Sequence, residues 1–271
     1  MLGGLLDFHF MQNAYAAGTL VALLAGVAGY FVVLRGQSFV AHTLSQVGFP
    51  GAAAGVLVHL SPVAGLVTFC VAAAVGIGWR GRAVDAGNRA ESAAVGSILA
   101  FSLGLGLLFV RLYAGSAQGV YAFLFGSILG ISDRDVQVTF AVAVVGLAVL
   151  AWMGRPLIFA SVDPDVAEAR GVPVRLLSLG FLVVLALAVA ITVQIVGTLL
   201  IFALLVAPAA TALQLTAQPA RSLILSAVLS VAFTWLGLAL AYFSPFPVGF
   251  FITTLAFAAY VAVRAWRLVR A

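Results

Sequence analysis

Residues 175–221 read RLLSLGFLVVLALAVAITVQIVGTLLIFALLVAPAATALQLTAQPAR, and no charged side chain lies between the two flanking arginines. Roughly 20 apolar residues, rising about 1.5 Å each, cross the hydrocarbon core of a bilayer, so this run is long enough for two crossings. Gln194-Ile195-Val196-Gly197 marks the turn between them. The rest of the chain agrees. Of 271 residues, 64% are hydrophobic and 8% charged, against about a quarter charged in an ordinary soluble domain. The predicted fold class is an all-α integral membrane protein, a polytopic bundle of about eight or nine transmembrane helices. Residues 1–271 form one transmembrane domain with no second, soluble one.

The charges mark the ends of spans. Asp7 to Arg35 holds one crossing, and Arg35 to Arg80 holds two, broken at His59-Leu60-Ser61-Pro62. Glu91 to Arg111 and Asp135 to Arg155 hold one each, and Arg221 to Arg264 holds two with a turn at Ser244-Pro245-Phe246-Pro247. If the loop with Arg80, Arg82 and Arg89 is cytoplasmic, alternation also places Arg35, Arg155, Arg170, Arg175, Arg221, Arg264, Arg267 and Arg270 inside. Only Arg111 and Arg134 fall outside, the asymmetry expected of a correct topology. This orientation gives an external N-terminus and a cytoplasmic C-terminus. Residues 112–132 are interrupted by Gly115, Gly119, Gly126 and Gly130 and carry Tyr113 and Tyr121. They read as a short or re-entrant helix, with a loop over the bundle as the alternative.

Composition excludes several functions. All thirteen basic side chains are arginine, so the lysine that a P-loop needs to hold nucleotide phosphates is missing, and this chain is not itself that kind of ATPase. The arginines sit at span ends rather than in a continuous patch, which speaks for lipid as surroundings and against nucleic acid as partner. The single cysteine, Cys70, reads as a small core hydrophobe. The opening MLGGLLDFHFMQNAY has no basic stretch before an apolar core and does not read as a cleaved signal.

The richest polar segment is Ser161-Val-Asp163-Pro164-Asp-Val-Ala167-Glu168-Ala-Arg170-Gly171-Val-Pro173. Asp163 caps a helix, Pro164 fits its first position, Arg170 suits the last turn, and Gly171 with Pro173 stops it. The expected element is a short cytoplasmic helix at about 163–171, small in side chain at Ala167 and Ala169, shaped to seat in a partner's groove. Ordering of a plain loop is the alternative.

The string from Asp163 to Pro173 resembles the coupling-helix signature of the ABC-3 metal-ion permeases, the membrane subunits of zinc, manganese and iron importers. Phe31-Val-Val-Leu-Arg-Gly-Gln-Ser-Phe39 is similar to the end of that family's first helix, and Leu44-Ser45 with Pro50-Gly-Ala-Ala53 to the block that follows. Tyr121 to Asp133, Val196 to Leu200, Ala207 to Thr211 and Pro247-Val-Gly249 continue the series in order. The resemblance implies a permease homodimer in the bacterial plasma membrane, served by a cytoplasmic ABC ATPase and an external metal-binding solute-binding protein. It implies that Asp163, Pro164, Ala167, Glu168, Gly171 and Pro173 couple to the ATPase. No cofactor is held permanently: zinc or manganese passes through, and ATP sits on the partner subunit.

A metal path through such a bundle has to use its few internal polar groups. The best cluster is Ala41-His42-Thr43-Leu44-Ser45-Gln46, where His42 and Gln46 lie four residues apart on one helix face with Ser45 beside them. Neutral imidazole is a good ligand for zinc and glutamine oxygen a weak one. The resembled block reads D-A-L-S-H in the family, so His42 stands for an aspartate and Gln46 for a histidine. The metal then gains less electrostatic stabilisation and binds more transiently. Hydrogen bonding at a helix start is the structural alternative for His42, and interhelical bonding for Gln46. His59 reads as an interfacial residue or a contact for arriving metal. Asp133 and Asp135 read as a solvated external edge or as a seat for the binding protein. Gln194 and Thr198, four apart, read as helix glue or as an extension of the path.

Two other readings carry different consequences. The same architecture suits a metal chelate or a cobalamin-type cargo. An ion-coupled secondary carrier would want a buried carboxylate, and none of the eight acidic residues falls in mid-span. An intramembrane enzyme is disfavoured, since neither H-E-x-x-H nor G-x-S-x-G occurs.

Overall fold

The structure, a computed structural model, describes residues 7–79, 89–112, 126 and 128–270. Among these residues ten α-helices follow one another: α1 (His9–Leu34), α2 (Ser38–Leu57), α3 (Pro62–Gly78), α4 (Arg89–Leu112), α5 (Asp133–Val162), α6 (Pro164–Ala169), α7 (Val174–Val196), α8 (Thr198–Leu215), α9 (Pro219–Tyr242) and α10 (Val248–Arg270). Helix α6, at six residues, is too short to be a crossing. The all-α bundle is therefore the observed fold, and the breaks at 59–62, 194–197 and 244–247 fall where the turn residues predict them. By length and composition, α1, α4 from Ser92, α5, α7, α9 and α10 can each cross a membrane. Helices α3 and α8 are shorter in their apolar part, and α2 is diluted by His42, Thr43, Ser45 and Gln46. Arg80 and Arg82, and most of the segment read as a short or re-entrant helix, lie outside the described residues; a 3₁₀ turn at Ile128–Gly130 follows that segment.

Helix α1 is the axis of the bundle, packing on α9, α8, α5 and α7, while α2 lies against α3 and α4. The two ends of the bundle are tied by polar contacts. At one end Asn13 of α1 donates to the Ile131 carbonyl at 3.2 Å and to Asp133 Oδ1 at 2.7 Å, and Gln194 Nε2 of α7 donates to Asp135 Oδ1 at 3.0 Å. At the other, Arg35 of α1 reaches Ser161 of α5 and Ser178 of α7. The starts of α1 and α5 thus share an end with the finish of α7, as the alternation of charges predicts.

Close backbone approach sets the helix crossings. A Cβ on Gly29 would overlap the Leu205 carbonyl of α8, and one on Gly26 would lie 2.7 Å from the Ala227 Cα of α9. On α2, a Cβ on Gly51 would meet the Gly65 carbonyl of α3 at 2.7 Å. Without a hydrophobic force between helices in lipid, such contacts and interhelical hydrogen bonds carry the association. Ser222, Ser226, Ser230 and Thr234 form a buried stripe on α9 at a spacing of four, and Ser226 Oγ donates to the Gly26 carbonyl at 2.7 Å. The largest fully buried side chains include Tyr30, Phe31, Phe181, Leu182 and Leu185. Cys70 is fully buried, with Sγ 3.5 Å from the Leu44 carbonyl.

Helix α5 continues beyond Arg155 and through Pro156 to Val162, past the end predicted from charge. Arginine near a span end extends its stem toward the interface without ending the helix, and the effective stop is Asp163-Pro164. Pro50 and Pro208 also sit inside helices, which membrane bundles tolerate when neighbours satisfy the freed carbonyls.

Candidate metal pathway and coupling helix

Helix α2 starts three residues after Arg35. Gly36, at φ 65°, turns the chain, and Gln37 N–H donates to the Val32 carbonyl at 2.8 Å, the paired bonds of a glycine-capped helix end. Between Val40 and Ala53 every residue of α2 is buried except His42 and Gln46, which are partly exposed. The i, i+4 spacing therefore places these two polar side chains alone on the open stripe of this stretch. Ser45 is fully buried, and its hydroxyl donates to the His42 carbonyl at 2.7 Å. It belongs to the packed side of the helix.

Across from His42 lies α8. The His42 ring meets Phe202 edge-on with centroids 5.0 Å apart, and His42 Nδ1 is buried with no hydrogen-bond partner. Thr198, one turn before Phe202, is fully buried, and its Oγ1 likewise has none. Buried polar atoms are normally paired, so two orphaned atoms on facing helices are notable. Thr198 does not share a helix with Gln194. Gly197, at φ 86°, breaks the chain between α7 and α8, so the four-residue relation of a continuous helix is lost and Gln194 turns to Asp135 instead. Among the described residues, no group of three or more His, Cys, Asp or Glu side chains assembles into a metal-binding cluster.

His59 is not brought to His42. It follows the far end of α2, about 25 Å along the helix by its rise per residue. Its backbone is left-handed, φ 58°, and Leu60 N–H donates to the Gly55 carbonyl at 2.8 Å. His59 thus occupies the position glycine usually takes at a helix end. Ser61 caps α3 by accepting from Ala64 N–H, and Pro62 opens it. At the end of the bundle where α1 and α5 start, Asp135 forms a capping box with Ser132, and Asp133 lies 3.7 Å from His9 as well as bonding Asn13. These carboxylates tie α1, α5 and α7 together.

Helix α6 forms as its residues dictate. Asp163 Oδ1 accepts from Val166 N–H at 3.0 Å, Pro164 takes the first turn, and Gly171 at φ 82° lets Val172 N–H reach the Ala167 carbonyl at 3.0 Å. Arg170 caps the helix end rather than lying in its last turn. Ala167 is fully buried against Ala160 and Val174 and so fastens α6 to the ends of α5 and α7. Asp165, Val166, Glu168, Ala169 and Arg170 face outward. The short helix thus has a packed inner face and an outer face of mixed acidic, apolar and basic side chains.

A helical bundle with six helices long and apolar enough to cross a membrane, a partly exposed polar pair on α2 and a short helix braced on α5 and α7 defines a multi-pass membrane protein. Residues 7–267 match the ABC 3 transport family, and the chain belongs to it. It is 30% identical over 242 residues, 89% of this chain and 85% of the relative, to the manganese transport system membrane protein MntC of Listeria monocytogenes. It is 32% identical, over 89% of this chain and 85% of the relative, to the manganese import system permease protein ScaB of Streptococcus parasanguinis. Among solved structures, PsaBC from Streptococcus pneumoniae in complex with Fab superposes with a TM-score of 0.85 at 29% identity, covering 97% of this chain and 93% of that one. An inward-facing putative metal-chelate type ABC transporter shares the fold, with a TM-score of 0.70 at 14% identity. The chain is thus a permease of the bacterial plasma membrane, a transport subunit.

Proposed function

We propose that this permease carries manganese inward through a path lined by His42 and Gln46, as one half of a homodimer driven by a cytoplasmic ABC ATPase and loaded by an external metal-binding protein. The observation that carries the path is the pair of partly exposed polar side chains on an otherwise buried stretch of α2, with His42 Nδ1 unpartnered. One chain offers few ligands there, so two copies meeting at this stripe would supply a pair of imidazoles and a pair of amides. Neutral donors hold a divalent ion less firmly than carboxylates do, which suits passage rather than storage. The names of the relatives favour manganese over zinc. Coupling is assigned to α6, held by Asp163, Pro164, Ala167, Gly171 and Pro173 and presenting Glu168 outward. ATP-driven closure of the partner subunits moves α6 and biases the bundle between outward and inward access.

The cargo is tested in cells lacking their own manganese and zinc importers and supplied with this permease and its partners. Radiolabelled manganese is expected to accumulate, excess unlabelled manganese to suppress it, and ferric chelate or cobalamin to leave it unchanged. Accumulation of chelate without manganese would replace the metal-ion reading with a larger-cargo one.

A further inference from the structure

Arg35 is a permanently charged side chain that is only 6% exposed. Charge withdrawn from water in a membrane protein is costly and marks a working part of the molecule more often than filler. Its guanidinium reaches two helices at once. Nη1 donates to Ser161 Oγ at 3.4 Å and Nη2 to Ser178 Oγ at 2.5 Å, while Cζ lies 5.9 Å from the centre of the Phe181 ring. Ser161 is in the last turn of α5 and Ser178 in the second turn of α7, so the two hydroxyls bracket α6.

The backbone of Arg35 points the other way. It ends α1, and the Gly36 turn leads directly into Ser38 and so into α2, which carries His42 and Gln46 on its open stripe. Helices α1 and α2 touch little elsewhere, and among the described residues α6 packs chiefly on α5 and α7. The side chain therefore links the mount of α6 to the corner from which the polar helix starts. We propose that Arg35 is the positioning residue that transmits displacement of α6 to α2, setting the His42 and Gln46 stripe by the state of the ATPase. This rests on α6 being the ATPase seat, as proposed above. The guanidinium fork is essential to this linkage, because a lysine retains the charge but, as a point donor, does not span two hydroxyls on separate helices.

The proposal is tested on the complete complex of permease and ATPase in proteoliposomes, with Gln46→Cys as reporter in a Cys70→Ala background. A membrane-impermeant maleimide is applied with and without magnesium ATP and hydrolysis is measured on the same vesicles, while manganese uptake is measured without maleimide on complexes that keep Gln46. In the parent complex, ATP is expected to change the labelling rate by about fivefold or more. In Arg35→Lys that change is expected to fall below about twofold while hydrolysis stays within about twofold of the parent, a split that loss of folded protein does not produce. Ser178→Ala removes the bond to α7, leaves the arginine in place if Arg35→Lys does not fold, and is expected to reduce the labelling response in the same direction. A full labelling response in Arg35→Lys or in Ser178→Ala, a loss of labelling response and hydrolysis in equal proportion, or a parent reporter indifferent to ATP each overturn the assignment. A complex that keeps Gln46 and imports no manganese, while the reporter's labelling follows ATP, overturns the cargo and leaves Arg35 to be judged by the labelling alone.

Discussion

His42→Ala is expected to lower ATP-driven manganese uptake by about tenfold or more, a change of about 1.4 kcal/mol or more in the energetics of passage. Assembly with the ATPase is expected to be unchanged. The His42 ring is partly exposed and meets the Phe202 ring edge-on, so its removal takes little from the core. What it takes from the path is the only strong ligand on the open stripe of α2. Gln46→Ala is expected to have a smaller effect, because an amide oxygen is the weaker donor. His42→Asp supplies a carboxylate, a stronger ligand for a hard divalent ion; it is expected to bind manganese more tightly and to restore uptake relative to alanine. Uptake in proteoliposomes, normalised to assembled complex, checks all three. Unchanged uptake in His42→Ala would remove the metal path from this stripe.

Gly29→Ala is expected to destabilise the bundle by about 3 kcal/mol or more, at the upper end of the cost of overpacking. In an open helical position the same change gains up to about 1 kcal/mol, since alanine is the better helix former. The sign is reversed here because the new methyl would overlap the Leu205 carbonyl, a backbone atom that cannot rotate aside. Gly76 and Gly104, both helical and with nothing within 4 Å of a Cβ, are the controls. Their alanine variants are expected to melt at or above the parent temperature in detergent, and Gly29→Ala well below it. Equal melting temperatures for all three would mean that α1 and α8 do not cross at Gly29.

Much of this architecture is written in the chain at low cost of inference. Charges cluster at span ends because they are excluded from lipid, so Asp7, Arg35 and Arg221 announce helix limits before any packing is known, whereas α10 runs past Arg264 to Arg270. Turns at Ser61-Pro62, Gly197 and Pro245-Pro247 follow from local backbone chemistry, and the α6 helix from its Asp-Pro start and Gly stop. Packing is another matter. The roles of Gly26 and Gly29 depend on which helix lies across from them, and nothing local to α1 names Leu205 or Ala227. The Ser222, Ser226, Ser230, Thr234 stripe has a spacing of four that marks one helix face, but that spacing does not name α1 as its partner.

The polar residues show the same division. His42 and Gln46 share a face because helical geometry requires it, and the structure leaves that face open. Gln194 and Thr198 have the same spacing, yet a single glycine at φ 86° places them on different helices with different fates. Arg35 is legible in sequence only as a charge marking the cytoplasmic side. Its burial and its grip on Ser161 and Ser178 arise from contacts more than a hundred residues apart in the chain, which no local pattern encodes.

Manganese uptake by the purified permease in proteoliposomes, measured with and without its ATPase and ATP, tests the central claim most directly. Uptake that requires the ATPase, ATP and the external binding protein together is the predicted result. Uptake by the permease alone, driven by an ion gradient, would contradict it.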